Sequence, residues 1–220
     1  MCSIRIRVIL TFIVWVSAGW GLSAQAADIT ISLVDKSGKP FEGAVVSAIP
    51  QFEFKRPADN KIYNMSQVDK VFSPHILAIP QGSMVSFPNM DNITHHVYSF
   101  SKTKRFDLKL FKLNTPEPVK FEKTGEVVVG CNIHDWMLGY IKVVPTHFIA
   151  RTDKKGKTTL SNLPAGDYVV EIWHPRFKDK NKNLMKPLAL SANKETTVEF
   201  SLKKPLRASP DLTETDEDDY

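Results

Sequence analysis

Gly130-Cys131-Asn132-Ile133-His134-Asp135-Trp136-Met137 places a thiol, an imidazole and a thioether close together in the chain. A soft sulfur, an imidazole nitrogen and a weak thioether form the ligand set that suits a copper ion alternating between Cu(I) and Cu(II). The set lacks a second imidazole, and the upstream segment Asn89-Met90-Asp91-Asn92-Ile93-Thr94-His95-His96-Val97 offers two. The two segments together predict a metal site with two histidines, one cysteine and a distant axial methionine, suited to moving electrons.

Residues 1–26 have the composition of a secretory signal. Arg5 and Arg7 precede an apolar run that is too short to span a bilayer comfortably, and Ala24-Gln25-Ala26 is a small-x-small cleavage site. We expect export to the periplasm by a cleaved Sec-type signal, with no transmembrane anchor after cleavage. The alternative is an uncleaved membrane anchor.

Cleavage after residue 26 would leave Cys131 as the single cysteine, since Cys2 leaves with the signal. A lone thiol in an oxidising compartment cannot form an internal disulfide and is open to oxidation. Metal ligation would protect it. The alternative is a buried, inert thiol, which the nearby His134 and Met137 argue against.

Charge is unevenly distributed along the chain. The last twelve residues carry six acids; without them and the two arginines of the signal, 27 basic and 18 acidic residues remain. A basic exported body suits an acidic redox protein or an anionic membrane surface, and an ordinary solvated surface is the alternative. Nucleic acid is not an expected partner, because the chain is exported and carries no nucleic-acid-binding motif. Residues 203–220 are predicted to be an acidic, disordered tail.

Short β-branched and aromatic runs alternate with turn residues, and helical periodicity is nearly absent after the signal. This pattern predicts an all-β protein built from β-sandwiches. Gln81-Gly82 predicts that residues 76–79 and 84–87 form a hairpin. The other predicted strands are 29–34, 44–49, 97–100, 127–129, 139–144, 157–160, 168–173, 188–190 and 196–202.

Four motifs between residues 64 and 144 occur in the order found in one family. They are Gln81-Gly82-Ser83-Met84-Val85-Ser86-Phe87-Pro88-Asn89, His95-His96-Val97, Phe121-Glu122-Lys123-Thr124-Gly125 and Cys131-x-x-His134-x-x-Met137. In these motifs the chain resembles the cupredoxins, the small blue copper proteins that include plastocyanin and amicyanin, and above all their methylamine-utilisation-type exported members. The resemblance implies a Greek-key β-sandwich over residues 60–145. It also implies one type 1 copper ion held by His95, Cys131, His134 and Met137.

His95 and His96 compete for the place of the first ligand. Adjacent residues of a strand point to opposite faces, so only one of the two easily becomes a ligand. Alignment with the family's His-x-Val favours His95. The family often has Asn where this chain has His96, which departs from the pattern and bears on the hydrogen bonds around the ligand.

A second set of motifs lies on either side of this region. These motifs resemble those of the carboxypeptidase-regulatory, transthyretin-like β-sandwich. They are Asp35-x-x-Gly38-x-Pro40-x-x-Gly43-Ala44-x-Val46 before the region, and Thr152-Asp153-x-x-Gly156 and Leu163-Pro164-Ala165-Gly166-x-Tyr168 after it. The resemblance implies a smaller, split sandwich made of residues 28–50 and 146–202, with the cupredoxin region inserted. The alternative is a tandem arrangement, with a copper domain over 28–145 followed by a small appendage.

The cupredoxin resemblance implies a periplasmic carrier of single electrons that exchanges them with a cytochrome or dehydrogenase at the loop of His134. Trp136 and Leu138 would flank His134 as an apolar docking patch. Lys102, Lys104 and Arg105 would steer an acidic partner towards the protein. The alternatives are copper storage or delivery, and a metal-stabilised structural or binding module. Zinc or nickel would also fit such ligands.

An enzyme is not expected. Copper oxidases and nitrite reductases need a second copper centre, and the spacing of His75, His147 and His174 predicts no cluster. Trp173-His174-Pro175-Arg176 gathers polar side chains, and we interpret it as a strand end packed over a loop.

Overall fold

The computed structural model describes residues 26–57, 60–112, 115–178, 184–192 and 194–209. Almost all of the predicted signal and most of the acidic tail therefore lie outside the described residues. Within these ranges the regular structure is β, which confirms the prediction of an all-β fold. No helix in the described ranges is long and apolar enough to cross a membrane.

The described strands follow one another in chain order. They are β1 (Ala26–Val34), β2 (Val45–Pro50), β3 (Ile62–Asn64), β4 (Ser66–Val68), β5 (Val71–Ser73), β6 (Ile76–Pro80), β7 (Met84–Ser86), β8 (Tyr98–Phe100), β9 (Arg105–Asp107), β10 (Val119–Lys120), β11 (Gly125–Gly130), β12 (Leu138–Val144), β13 (Ile149–Arg151), β14 (Lys157–Pro164), β15 (Gly166–Trp173), β16 (Leu184–Leu190) and β17 (Thr196–Ser201).

The first and last strands of the chain share two sheets, ordered β14-β1-β17 and β13-β2-β15-β16. Strand β1 alternates as the sequence predicts, and Ile29, Ile31 and Leu33 are fully buried between these sheets. Ile31 lies opposite Thr158 on one neighbouring strand and Val198 on the other. Strands from before residue 51 thus pair with strands that follow residue 144. The division of the chain into two domains of the named families stays a prediction.

The middle strands form a separate group. A five-stranded sheet, β6-β12-β11-β8-β9, accompanies the three-stranded sheet β10-β7-β3 and the hairpin β4-β5. Their common core contains Phe87, Val97, Phe121, Cys131 and Met137, all buried. The sequence motifs for metal binding therefore lie at the edge of this core.

The predicted hairpin over residues 76–87 is wrong. Strand β6 pairs with β12, whereas β7 pairs with β10 and β3 in another sheet. At the turn, the amide of Gln81 donates to Val144 at 2.8 Å and the amide of Gly82 donates to Phe121 at 2.7 Å. The chain consequently crosses from one sheet to the other at a sandwich corner, a change of direction for which Gly82 supplies a φ of +89°.

The two strand groups meet at a mixed apolar and polar contact. Trp173 packs with Val45 and Ile76 in a small buried cluster. Lys142 Nζ lies 2.8 Å from Glu171 Oε1, and both side chains are nearly buried. The Trp173 indole also donates to Glu126 at 2.6 Å. Trp173, at the end of strand β15, thus packs against the middle strand group.

Candidate metal centre

Three candidate ligands meet at one end of the middle strand group. One ring nitrogen each of His95 and His134 and the sulfur of Cys131 all lie within 4.8 Å of one another. The Cys131 Sγ and His134 Nδ1 atoms are 3.6 Å apart, and the two imidazole centroids are 5.0 Å apart. His95 and Cys131 are buried, and His134 is half-buried.

A tight loop presents Cys131 and His134. Cys131 directly follows strand β11, and the chain turns back into the antiparallel strand β12. The Met137 amide donates to the His134 carbonyl at 3.0 Å, and the Cys131 amide donates to the Met137 carbonyl at 3.3 Å. These bonds close the loop. Met137 is 1% exposed and belongs to the same buried cluster as Cys131.

A separate pair of backbone bonds fixes His95. His95 and Phe111 exchange amide-to-carbonyl hydrogen bonds, each of 3.0 Å. Asn89 organises the preceding loop, because its side-chain amide donates to Ile93 and its oxygen accepts from the Asp91 amide. The His95 side chain is held without any exposure to solvent.

The two ring nitrogens of His95 have different surroundings. Nε2 lies 2.8 Å from Asp91 Oδ2, whereas Nδ1 is buried without a hydrogen-bond partner among the described residues. An ionised carboxylate only accepts, so Nε2 carries the proton. In the neutral ring Nδ1 is then the nitrogen that keeps a lone pair for a ligand. A buried nitrogen without a hydrogen-bond partner destabilises the fold unless a hydrogen-bond donor or a metal ion binds it.

Asp91 is itself held in place by a turn of another strand pair. The amide of Asp69 donates to Oδ1 at 2.7 Å, and the amide of Lys70 donates to Oδ2 at 3.0 Å. Both residues have positive φ, 52° and 58°, in the two-residue turn between β4 and β5. Burial raises the pKa of Asp91, but the Lys70 amide, the His95 ring and the Asp69 amide together bring it below its ordinary value.

His96 points to a different partner. Its Nε2 lies 2.6 Å from Asp107 Oδ1 at a more exposed position. The hydrogen bond to His96 also lowers the pKa of the Asp107 carboxyl. Of the two adjacent histidines, His95 is therefore the one that the structure brings to Cys131 and His134.

The donor geometry fits a small transition-metal ion. Thiolate and imidazole ligands lie about 2.3 and 2.0 Å from an ion such as zinc. Ligand–metal–ligand angles between the tetrahedral and trigonal values then separate the two donor atoms by about 3.5–3.7 Å. The observed 3.6 Å between Cys131 and His134 falls in that range. One thiol and two imidazoles form a set that copper or zinc accepts.

The ligand loops expose two large apolar side chains as well as the polar Asn132 and Asp135. Ile133 is 48% exposed and Met90 is 68% exposed, and these residues belong to the two ligand loops. The Trp136 ring lies 5.4 Å from that of His134, and Lys70 Nζ lies 6.0 Å from the Trp136 ring. Lys70 thus contacts both ligand loops, through its amide at Asp91 and its ammonium at Trp136.

The other candidate residues lie elsewhere. His75, His147 and His174 do not join the described metal-ligating group. The turn that carries Lys102 and Lys104 packs against Gly125, where Thr103 lies beside the glycine. Strand β11 separates Gly125 from the Cys131 loop by roughly 17 Å, so these lysines do not border the His134 surface.

Sequence reasoning missed Asp91 and the Asp69-Lys70 turn. The available signal was an acid four residues before His95. Nothing in the sequence places residues 69 and 70 beside that acid, because the contact joins segments about twenty residues apart.

No protein-family model and no curated protein matches the chain. Solved structures show similarity over less than half of it. A Cu-containing nitrite reductase from Thermus scotoductus SA-01 is 24% identical over 43% of this chain and 25% of the reductase chain, with a TM-score of 0.37. The reduced Cu(I) form of an amicyanin variant at pH 4 is 16% identical over 45% of this chain and 98% of amicyanin, with a TM-score of 0.35. Another reduced amicyanin variant is 16% identical over 47% of this chain and 100% of amicyanin, with a TM-score of 0.36. These similarities carry no conclusion about what this chain binds.

Proposed function

We propose that this protein is an exported cupredoxin that holds one type 1 copper ion with His95, Cys131, His134 and Met137. It would carry single electrons between redox proteins, such as a cytochrome and a dehydrogenase, in the periplasm. The observation that carries the proposal is the convergence of one thiol and two imidazoles, with the buried Nδ1 of His95 lacking any other described partner.

Copper bound by these donors would supply one-electron exchange between Cu(I) and Cu(II). The surrounding residues restrict movement of the donors. His95 is fixed through Phe111 and Asp91, and the loop of Cys131 is closed by its own backbone bonds. A site that keeps one shape in both oxidation states needs little rearrangement when an electron arrives or leaves.

The half-buried His134 is the proposed point of electron exchange. Exposed Met90 and Ile133, in the two ligand loops, offer apolar contacts for a docked partner. Electron exchange needs a short distance between the two redox centres, and the interfaces of such transient complexes are small. The basic Lys102-Lys104 turn lies away from the His134 loop, so it would act on an acidic partner at longer range.

We also propose that residues 28–50 and 146–202 form a split carboxypeptidase-regulatory-like sandwich around the inserted residues 60–145. The pairing of Ile31 with Thr158 and Val198 supports this arrangement. Strands β3 to β12 pair only with one another among the described strands, which also supports it.

The visible spectrum of the oxidised, copper-loaded protein tests the proposed function. We expect one copper per chain and intense thiolate-to-copper absorption that Cys131→Ser abolishes, while His147→Asn retains it. Rapid mixing with a reduced c-type cytochrome should then bleach the band faster than a copper chelator does. A colourless copper-loaded protein would contradict the type 1 site, and copper loss to the chelator without electron exchange would favour delivery.

A further inference from the structure

The five-stranded sheet β6-β12-β11-β8-β9 packs one face on the core of the middle strand group, and its other face is only partly covered by described residues. Ile76 and Tyr140 lie opposite each other on that second face, where they pack with Trp173 of the other strand group. Val128 lies opposite Tyr140 on strand β11, yet it is 41% exposed. The cover that the other strand group supplies therefore ends at about β11, and strands β8 and β9 extend beyond it.

Two aromatic side chains lie on the uncovered part of this face. Tyr98 and Phe100 flank the buried Ser99 along β8, so both point away from the core. Their ring centroids are 5.1 Å apart, and Phe100 is 75% exposed. The Val128 amide donates to Ser101 Oγ at 2.9 Å, which brings β11 alongside Phe100. We call the surface formed by Tyr98, Phe100 and Val128 the aromatic face.

A glycine shapes the end of the aromatic face that is nearer the metal centre. Gly130 lies opposite Tyr98, and a Cβ atom at residue 130 would lie 3.1 Å from Tyr98 Cζ and 3.2 Å from its Oη. The Tyr98 ring thus occupies the space that a side chain at this position would fill. Since Gly130 directly precedes Cys131, the aromatic face begins one residue from the candidate thiol ligand.

Basic side chains border the aromatic face. Lys102, Lys104 and Arg105 follow Phe100 closely in the chain, and Arg105 lies opposite Phe100 on strand β9. The ion pairs formed among the described residues do not engage these three cations. Adjoining exposed apolar side chains with a polar rim mark a surface where another molecule binds.

The carboxylates near the aromatic face already have partners. Asp107, opposite Tyr98, lies 2.6 Å from the His96 ring, and the charge of Lys109 also acts on it. Glu126 accepts from the Trp173 indole at 2.6 Å. Because the nearby acids are engaged in this way, the rim of the aromatic face is positive.

The charge of this rim selects the kind of partner. A second copy of the chain, docked through the same face, would bring the cations of one rim against those of the other. Outside the signal and the last twelve residues the chain also carries 27 basic and 18 acidic residues, so two copies repel each other. An acidic protein instead gains charge pairs at the rim and buries the aromatic rings at the centre.

We propose that the aromatic face is a docking surface for an acidic protein. Phe100 and Tyr98 pack at the centre of the contact, while Lys102, Lys104 and Arg105 pair with carboxylates of the partner. A protein docked at the His134 loop meets these cations only at longer range, whereas one docked on the aromatic face meets them directly. The proposal concerns docking, and it does not depend on the copper site or on the proposed electron transfer.

Nuclear magnetic resonance titration of the ¹⁵N-labelled full chain tests the surface, with a reduced acidic c-type cytochrome as the probe. Reducing buffer keeps the low-spin haem iron and any bound copper diamagnetic. At low ionic strength we expect the largest amide shifts at residues 98–105 and 126–130. A reduced basic c-type cytochrome should shift these amides several times less, and added salt should weaken the acidic complex by screening its charge pairs.

Two variants separate the charged rim from the aromatic centre. Arg105→Glu should weaken the affinity for the acidic cytochrome about tenfold, whereas the matched control Lys155→Glu, in an exposed turn of the other strand group, should change it less than about twofold. Phe100→Ser should also weaken binding about tenfold while the fold is kept, because its ring is largely exposed. Lys102→Glu replaces Arg105→Glu if near-ultraviolet circular dichroism shows that the latter does not fold.

The proposal is overturned if the amide shifts fall only on the His134 loop, if neither cytochrome shifts the aromatic face, or if the basic cytochrome shifts it as much as the acidic one. Equal affinities of the Arg105→Glu and Lys155→Glu variants also overturn it. Shifts of the aromatic face that follow the concentration of this protein alone would identify a second copy as the occupant, which contradicts the proposal. Because these readouts involve neither colour nor electron exchange, failure here is distinct from failure of the proposed function.

Discussion

The Nε2 atom of His95 lies 2.8 Å from Oδ2 of Asp91. The amides of Asp69 and Lys70 also donate to this carboxylate, so the Asp91 side chain is held in place independently of the imidazole. A carboxylate that accepts a hydrogen bond from a metal-binding histidine determines which ring nitrogen is left unprotonated. It also makes that nitrogen more basic, and so a stronger metal ligand. Asp91 is thus a positioning residue for the proposed copper site.

Replacing Asp91 by Asn should raise the reduction potential of the copper-loaded protein. Loss of the negative charge weakens the His95 nitrogen as a donor and disfavours Cu(II), by an amount on the order of 60 mV, or tenfold in the one-electron equilibrium. The Asn amide also cannot accept from Asp69, Lys70 and His95 together. Voltammetry of the purified protein measures the shift.

Asp107→Asn provides the matched control, since it removes the same charge from an exposed carboxylate that accepts from His96. We expect a shift several times smaller than that of Asp91→Asn. Equal shifts in the two variants would show that general charge, rather than the contact with His95, sets the potential.

Substitution of the adjacent histidines should separate their roles. His95→Ala should remove the intense visible band and weaken copper binding by more than about 100-fold, because even the loss of a ligand's supporting partner costs 10- to 100-fold. His96→Asn should keep both the band and the affinity, because His96 contacts Asp107 instead of the cluster. The opposite result would make His96 the ligand.

Lys142→Met should destabilise the fold by about 3–5 kcal/mol, since it leaves the nearly buried Glu171 without its cation. The double variant with Glu171→Leu should recover most or all of that loss. Urea unfolding monitored by tryptophan fluorescence gives both values. Lys120→Met, at the exposed pair with Glu122, is the control and should cost less than about 1 kcal/mol. A similar cost at both positions would mean that Lys142 acts only through its aliphatic stem.

Acidification should destabilise the fold through His174. Its folded pKa is about 3, whereas an unfolded histidine titrates at about 6.5. Between these values the unfolded chain binds more protons, so the free energy of unfolding falls as pH decreases, by up to about 1.4 kcal/mol per pH unit. In phosphate-free buffer, His174→Asn should show a shallower slope between pH 6.5 and 4, and His96→Asn should keep the wild-type slope. Equal slopes in the wild type and His174→Asn would contradict this.

Local features of the fold were predictable from the sequence. Alternation over Ile29–Val34 marks a half-buried strand, and the structure places β1 at Ala26–Val34 with the same face buried. The hairpin predicted at Gln81-Gly82 failed, because a glycine turn between two apolar runs looks the same whether the chain folds back or crosses to a second sheet. Hydrogen bonds to Val144 and Phe121 decided between the two, and both partners lie far along the chain.

The order and spacing of Cys131, His134 and Met137 were set by the sequence alone, because one closed loop keeps residues so few positions apart near one another. Only the tertiary structure brought His95 to Cys131 and His134 while directing His96 to Asp107, and oriented Asp91 through the Asp69-Lys70 turn. These outcomes depend on which surfaces distant segments turn towards each other. Side-chain direction, charge and proton position at such contacts are fixed through space, and residue order along the chain does not record them.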